Sequence, residues 1–279
     1  MTVVALEQTA PVPGRCDDNI ADLMGRASTA LREGADIVVF PELASSGYVV
    51  DRASVEAGAQ ALDGPLVNDL MTVSSAHDGL VAVGYCEKDD GEYFNSVVLV
   101  GPDGPLLNYR KLHLFDAEKE AFTAGEELEV VATPHGVLGI CVCYDLRFVE
   151  TLRLLSLKGA DIVLAPAAWV GGFDADVPAE GLVQQAEAVL VQANLDQVAV
   201  VAVSQAGEHP GLRTLGGSVA VDARGRLLAG PLSRREADRG SAVIDLAEVR
   251  AAQERSARIR PRADRRTDVY GVYDGKEIW

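Results

Sequence analysis

The sequence predicts an α/β protein of one pseudo-symmetric domain, and three observations lead there. Continuous apolar strands follow helices, as at residues 36–40 after residues 17–32, which implies a sheet covered on both faces. A second helix–strand unit repeats the first. Leu31-Arg32-Glu33-Gly34-Ala35-Asp36-Ile37-Val38-Val39-Phe40-Pro41 is echoed by Leu157-Lys158-Gly159-Ala160-Asp161-Ile162-Val163-Leu164-Ala165-Pro166. No Pro-, Ser- or Gly-rich linker separates the two, so they read as halves of one domain and not as two domains.

The elements follow in order. Residues 3–8 form a first strand and 11–14 a turn. From 17 to 32, Ile20, Leu23, Met24, Ala27 and Leu31 recur at helical spacing, with Asp17 and Asp18 at the start and Gly34 at the end. The strand at 36–40 runs into Pro41-Glu42. A helix at 65–76 precedes a strand at 80–85. Residues 95–100 and 106–110 form a hairpin across Gly101-Pro102-Asp103-Gly104. A strand at 137–142 stops at a thiol, and a helix carrying Leu152, Leu154, Leu155 and Leu157 follows. Residues 179–195 read as a helix and 197–204 as a strand. A second hairpin joins 217–221 to 226–229 across Asp222-Ala223-Arg224-Gly225. A last strand (241–245) and helix (246–257) lead to an Arg-rich tail, 258–279, which either docks on a neighbouring subunit or is disordered.

Composition bounds the function. The 279 residues carry a net charge of −17, which argues against nucleic acid and anionic membranes as partners, since both need a basic surface. No apolar run approaches the length of a membrane span. Residues 1–6 lack a basic n-region, so they read as a strand and not a signal peptide. Cys16, Cys86, Cys141 and Cys143 show no paired framework, which fits a reduced, cytoplasmic protein. Lysine is scarce, and Lys111 stands out in an apolar neighbourhood.

The chemistry gathers at strand ends. Cys143 lies where a strand gives way to a helix, where backbone N–H groups and the helix dipole can lower a thiol pKa and hold an oxyanion. Taken alone it reads more readily as a packing cysteine. Glu42 and Lys111 end other strands. In open α/β sheets the ligand crevice lies outside the carboxyl ends, so Glu42 and Cys143 should emerge together if their strands are parallel neighbours. Singly, Glu42 reads as a cap or surface charge and Lys111 as a solvated charge. With a thiol they supply the base and cation that nucleophilic catalysis needs. Cys141, two residues back on the same strand face, packs. A Cys-x-Cys metal site lacks two further ligands, and no metal is expected. His113 reads as a structural hydrogen-bonding residue, and His77, His135 and His209 as loop residues. No Gly-x-Ser-x-Gly elbow, phosphate loop or dinucleotide fingerprint is present.

Three segments carry a family resemblance: Phe40-Pro41-Glu42-Leu43, Tyr109-Arg110-Lys111-Leu112-His113-Leu114-Phe115 and Cys143-Tyr144-Asp145-Leu146-Arg147-Phe148. In their order and spacing the chain resembles the nitrilase superfamily of carbon–nitrogen hydrolases. The resemblance includes Gly216-Gly217-Ser218 and runs to Arg265-Arg266-Thr267-Asp268-Val269-Tyr270. It departs at Phe148-Val149-Glu150, where Phe-Pro-Glu is common. It implies a four-layer αββα sandwich, with residues 1–257 as the hydrolase domain. It further implies Glu42 as general base, Lys111 as oxyanion cation, Cys143 as nucleophile and a second glutamate, Glu118 or, as runner-up, Glu120. Tyr144, Trp169 and Tyr48 are candidate substrate contacts, Trp169 serving either as pocket wall or as core. The expected reaction is hydrolysis of a small aliphatic or amino-acid-derived amide to acid and ammonia, with water as co-substrate and no cofactor. Nitrilase and N-carbamoyl-amino-acid amidohydrolase are the alternatives. A homodimer or higher homo-oligomer is expected. A non-catalytic binding scaffold and a structural assembly protein are the competing classes.

Overall fold

The computed structural model describes residues 1–171, 181–209, 211–276 and 278–279. In chain order the elements are β1 (Thr2–Gln8), α1 (Cys16–Arg32), β2 (Ile37–Val39), α2 (Arg52–Gly58), α3 (Pro65–His77), β3 (Leu80–Asp89), β4 (Glu92–Gly101), β5 (Gly104–Arg110), α4 (Glu118–Ala121), β6 (Val130–Thr133) and β7 (Gly136–Ile140). A 3₁₀ turn (Cys143–Arg147) follows. Then come α5 (Val149–Leu157), β8 (Ile162–Ala167), α6 (Gln184–Asp196), β9 (Ala199–Ser204), β10 (Ala206–His209), β11 (Leu212–Leu215), β12 (Val219–Val221), β13 (Leu227–Ala229), β14 (Asp238–Ile244) and α7 (Leu246–Gln253).

Two six-stranded sheets, β14-β1-β2-β3-β4-β5 and β13-β12-β9-β8-β7-β6, are built alike. Each has a parallel triplet at its centre, β1-β2-β3 and β7-β8-β9. Each triplet continues antiparallel on both sides. The αββα expectation holds. Alternation along the strands sets the layers. Val38, Phe40, Val81 and Val83 pack with Leu23, Leu31, Leu66 and Leu70 of α1 and α3. Their strand neighbours Ile37, Val39, Leu80 and Ala82 join Leu138, Ile140, Ile162 and Leu164 of the other sheet in one core.

The repeated Gly-Ala-Asp has the same structural meaning in both halves. Gly34 and Gly159 sit at φ 99° and 101°, in the left-handed region that closes a helix. Each donates to the carbonyl three residues back, and the following alanine donates to the one five back, as in a Schellman ending. The aspartate then caps the neighbouring strand: Asp36 Oδ2 accepts the Val3 N–H at 2.7 Å, and Asp161 Oδ2 the Val137 N–H at 3.1 Å.

Several sequence expectations shift. The strand before the thiol ends at Ile140, so Cys141 and Cys143 do not share a strand face. His77 ends α3 and His209 ends β10, so neither is a loop residue. The helix expected at 179–195 begins at Gln184, and residues 179–180 lie outside the described residues. The described residues of the tail make contacts of their own and with the second half of the chain. The tail's main chain pairs Val272 with Trp279, Asp274 bonds Lys158 at 2.8 Å, and Arg262 reaches the carbonyls of Ala160 and Gln197. Among the described residues no helix is long and apolar enough to cross a membrane.

Candidate active site

Glu42 lies just past β2, in a turn where Leu43 adopts φ 46°. Gly84 of β3 permits that turn: a Cβ there would stand 2.4 Å from the Pro41 carbonyl oxygen and 2.6 Å from Glu42 Cα. Lys111 follows β5. Its N–H donates to the Asn95 carbonyl at 2.9 Å, and its own carbonyl accepts the Gly125 N–H at 2.9 Å. Gly125, the glycine of the Phe-x-x-Gly stretch, packs so tightly on this backbone that a Cβ would meet the Arg110 carbonyl oxygen at 2.1 Å. Glu118 opens α4. Cys143 opens the 3₁₀ turn at φ 46°, an unusual conformation for a non-glycine residue.

The side chains converge. Lys111 Nζ lies 2.7 Å from Glu42 Oε1 and 2.8 Å from Glu118 Oε2, and all three side chains are fully buried. Glu118 also accepts the Tyr48 hydroxyl at 2.7 Å and the Phe115 N–H at 2.9 Å. Glu120, the runner-up, is exposed. Asn95 Nδ2 donates to Glu42 Oε1 at 2.7 Å, and Gln205 Nε2 to the Glu42 carbonyl at 2.7 Å. Glu42 Oε2 is buried without a hydrogen-bond partner.

Glu42 and Cys143 meet, but not as parallel neighbours. Their strands belong to different sheets, so the cluster forms between the sheets at the ends of both central triplets. Asp145 ties the halves together. Its Oδ2 accepts the Val142 N–H at 2.8 Å and the Tyr109 hydroxyl at 2.7 Å, while Oδ1 accepts the His113 N–H at 3.0 Å. His113 Nδ1 stands 2.8 Å from the same Oδ1, which gives His113 its expected structural place.

The electrostatics invert one expectation. Burial and then the Glu42 charge push the Cys143 thiol well above its usual range, against the opposing pull of Lys111 and the Ala168 N–H. Helix α5 starts six residues beyond the thiol, too far for its dipole to dominate. Burial also opposes the charge on Lys111, but the two carboxylates outweigh it and raise its pKa. Burial raises Glu118 as well, with Lys111 pulling the other way.

Cys143 opens onto a cavity of about 40 Å³ whose walls include Phe115, Tyr144, Trp169, Val170 and Ala188. Trp169 serves both readings: it lines this cavity and packs into the core. Tyr48 is placed on Glu118. Cys141 is buried in the core. Sequence reasoning missed Asn95, Gln205, Gly84 and Ala168. Asn95 alone left a trace, as a polar residue entering the apolar run of β4.

The family description that matches residues 3–254 is carbon–nitrogen hydrolase. The chain belongs to this family. An (R)-stereoselective amidase from a Pseudomonas species is 32% identical over 253 residues, covering 90% of this chain and 87% of the relative. A nitrilase from Pyrococcus abyssi is also 32% identical over 253 residues, covering 90% and 92%. In fold, the chain is similar to an amidase from a Nesterenkonia species: TM-score 0.80 at 24% identity, over 96% of this chain and 94% of that one. A cysteine-to-alanine variant of the Nesterenkonia sp. AN1 amidase, in complex with butyramide, has a TM-score of 0.78 at 23% identity, with 96% and 95% covered. The nitrilase-superfamily resemblance is thereby borne out, and this carbon–nitrogen hydrolase is an enzyme of that class.

Proposed function

We propose that this carbon–nitrogen hydrolase is an amidase that converts a small amide and water to a carboxylic acid and ammonia through a thioester on Cys143. One observation carries the reading: a buried Lys111 held between Glu42 and Glu118, with Glu42 Oε2 left free beside a thiol that opens into an apolar-walled cavity. A thiol pushed up in pKa is not a standing thiolate, so proton removal must accompany attack. Glu42 takes the thiol proton as sulfur bonds to the amide carbon. Lys111 Nζ and the Tyr144 N–H stabilise the oxyanion. Glu42 then protonates the nitrogen, the C–N bond breaks and ammonia leaves. A water that gives its proton to Glu42 attacks the thioester. The acid departs, and the proton returns to the sulfur. Glu118, braced by Tyr48, keeps Lys111 charged and in place throughout.

The amidase relative and the butyramide complex support an amide substrate. The Pyrococcus nitrilase supports a second reading, attack of the same thiol on a nitrile carbon. Ammonia release is to be screened across aliphatic amides, amino-acid amides, nitriles and N-carbamoyl amino acids. Amides should lead. Cys143→Ala should abolish release with the circular dichroism spectrum unchanged, and a substrate-derived mass should appear on the wild-type chain alone. Undiminished ammonia release by folded Cys143→Ala would sink the proposal.

We propose further that the chain works as a homodimer or higher homo-oligomer in the cytoplasm, with residues 1–257 as the hydrolase domain. Exposed Val149, Val191 and Leu195 on α5 and α6 support the assembly. The unpaired cysteines are compatible with the compartment.

A further inference from the structure

The two oxygens of Glu42 are treated differently by the protein. Oε1 receives two donors, Lys111 Nζ and Asn95 Nδ2, both at 2.7 Å. Oε2 is buried and receives none. A buried carboxylate oxygen without a donor is unfavourable unless a donor arrives in function. The donors that can arrive are the Cys143 thiol, the leaving nitrogen and the hydrolytic water.

Asn95 stands behind this asymmetry. It is fully buried in β4, opposite Cys86 of β3. Its side chain holds the base while its backbone carbonyl holds the Lys111 N–H at 2.9 Å, so one residue sets both groups. A carboxylate only accepts, so the amide must turn its NH₂ toward Glu42. That orientation leaves Asn95 Oδ1 buried and unpartnered. Residues chosen for stability alone seldom leave such an acceptor. The charged and titratable groups around Glu42 come from three other elements: Lys111 after β5, Glu118 on α4 and Cys143 after β7, with Tyr48 beyond Glu118.

We propose that Asn95 is a positioning residue that assigns the two oxygens of Glu42, anchoring Oε1 and keeping Oε2 as the working base. The proposal rests on Glu42 acting as base toward Cys143. Its test uses Asn95→Ala and Asn95→Asp with two readouts: steady-state hydrolysis of a small amide, and the pH dependence of Cys143 alkylation by iodoacetamide, followed by intact mass. Alkylation needs no turnover, so it separates this proposal from the choice of substrate.

Asn95→Ala should lower kcat about tenfold or more while KM stays within about threefold. Asn95→Asp sets a second carboxylate against Glu42, and the pair must share a proton. The acid limbs of kcat/KM and of alkylation should then move up by about one pH unit or more. Should Asn95→Asp fail to fold, the alkylation limb of Asn95→Ala decides, since loss of a donor to the charged form also moves it upward. Folded variants with unmoved limbs and only a lowered Tm would overturn the proposal. A raised KM with kcat intact would overturn it too, by making Asn95 a substrate contact. A wild type that turns over no amide would overturn the amidase reading, and the alkylation limb would still decide Asn95.

Discussion

At the scale of single residues, the site is a charge arrangement before it is a set of reagents. One ammonium lies between two carboxylates, all three out of water. Such a triplet is stable only if the geometry is close and the remaining lone pairs are satisfied. Glu118 meets that condition with Tyr48 and the Phe115 N–H. Glu42 meets it at one oxygen only. Tyr48 can therefore be tested as a brace. Tyr48→Phe should lower kcat about tenfold, the order expected for losing a hydrogen bond to a charged group. In the Glu118→Gln background the same change should add almost nothing, because the hydroxyl acts through that carboxylate. Additive losses with a raised KM would mean that Tyr48 meets the substrate, the role its sequence position first suggested.

At the scale of elements, turns position the chemistry more than strands do. Glu42 and Cys143 each occupy a turn with a left-handed non-glycine residue, Leu43 in one and Cys143 itself in the other. Such conformations persist where surrounding packing over-determines them. For Glu42 the packing partner is Gly84, whose missing Cβ leaves room for backbone at 2.4–2.6 Å. Gly84→Ala must displace main chain and not a flexible side chain. It should cost about 1–3 kcal/mol, read as a lower urea midpoint. Activity per folded molecule should fall as well, since Glu42 moves with the turn. A variant with full activity per folded molecule would show that the turn tolerates the shift. The Gly-Ala-Asp repeat works at this scale too, ending a helix and capping the adjacent strand in each half.

At the scale of the whole molecule, Arg262 of the C-terminal segment bonds the main-chain carbonyls of Ala160, Asp196 and Gln197 in the second half, which sets its charge near the Asp196 side chain. This buried carboxylate lies 2.8 Å from Arg153 Nε, in a geometry without hydrogen-bond alignment, and is raised to about 6 by burial against the pull of Arg153 and Arg262. The folded chain thus holds this proton more tightly than the unfolded chain, whose aspartate titrates near 3.8. The resulting stability is fully present below that value and is lost as pH rises through about 6. Between pH 5 and pH 7 the wild type should lose roughly 1 kcal/mol relative to Asp196→Asn, measured by urea unfolding. No pH-dependent difference between the two would remove Asp196 from the account. Assembly belongs to this scale as well. Light scattering should report at least twice the 29.5 kDa chain mass. Val191→Glu, at a residue 58% exposed on α6, should shift the distribution toward single chains. An unchanged mass would place the interface elsewhere.

What the sequence by itself determined is what local chemistry encodes. Apolar runs, helical spacing and the repeated Gly-Ala-Asp gave the elements and the two-fold likeness of the halves, because each depends on neighbours within a few residues. The three linked motifs named Glu42, Lys111 and Cys143, and the Phe-x-x-Gly spacing favoured Glu118 over Glu120. Short elements such as α2, β6 and the β10–β11 pair escaped, because too few residues lie in each to show a period. Tertiary structure alone decided that Glu42 and Cys143 belong to different sheets, since strand pairing joins residues far apart in the chain. It alone decided the direction in which the thiol pKa is pushed, because desolvation is a property of everything packed around an atom. It also brought Asn95 to Glu42 across 53 positions of sequence, a pairing that depends on the register of β4 in its sheet and that no local pattern records.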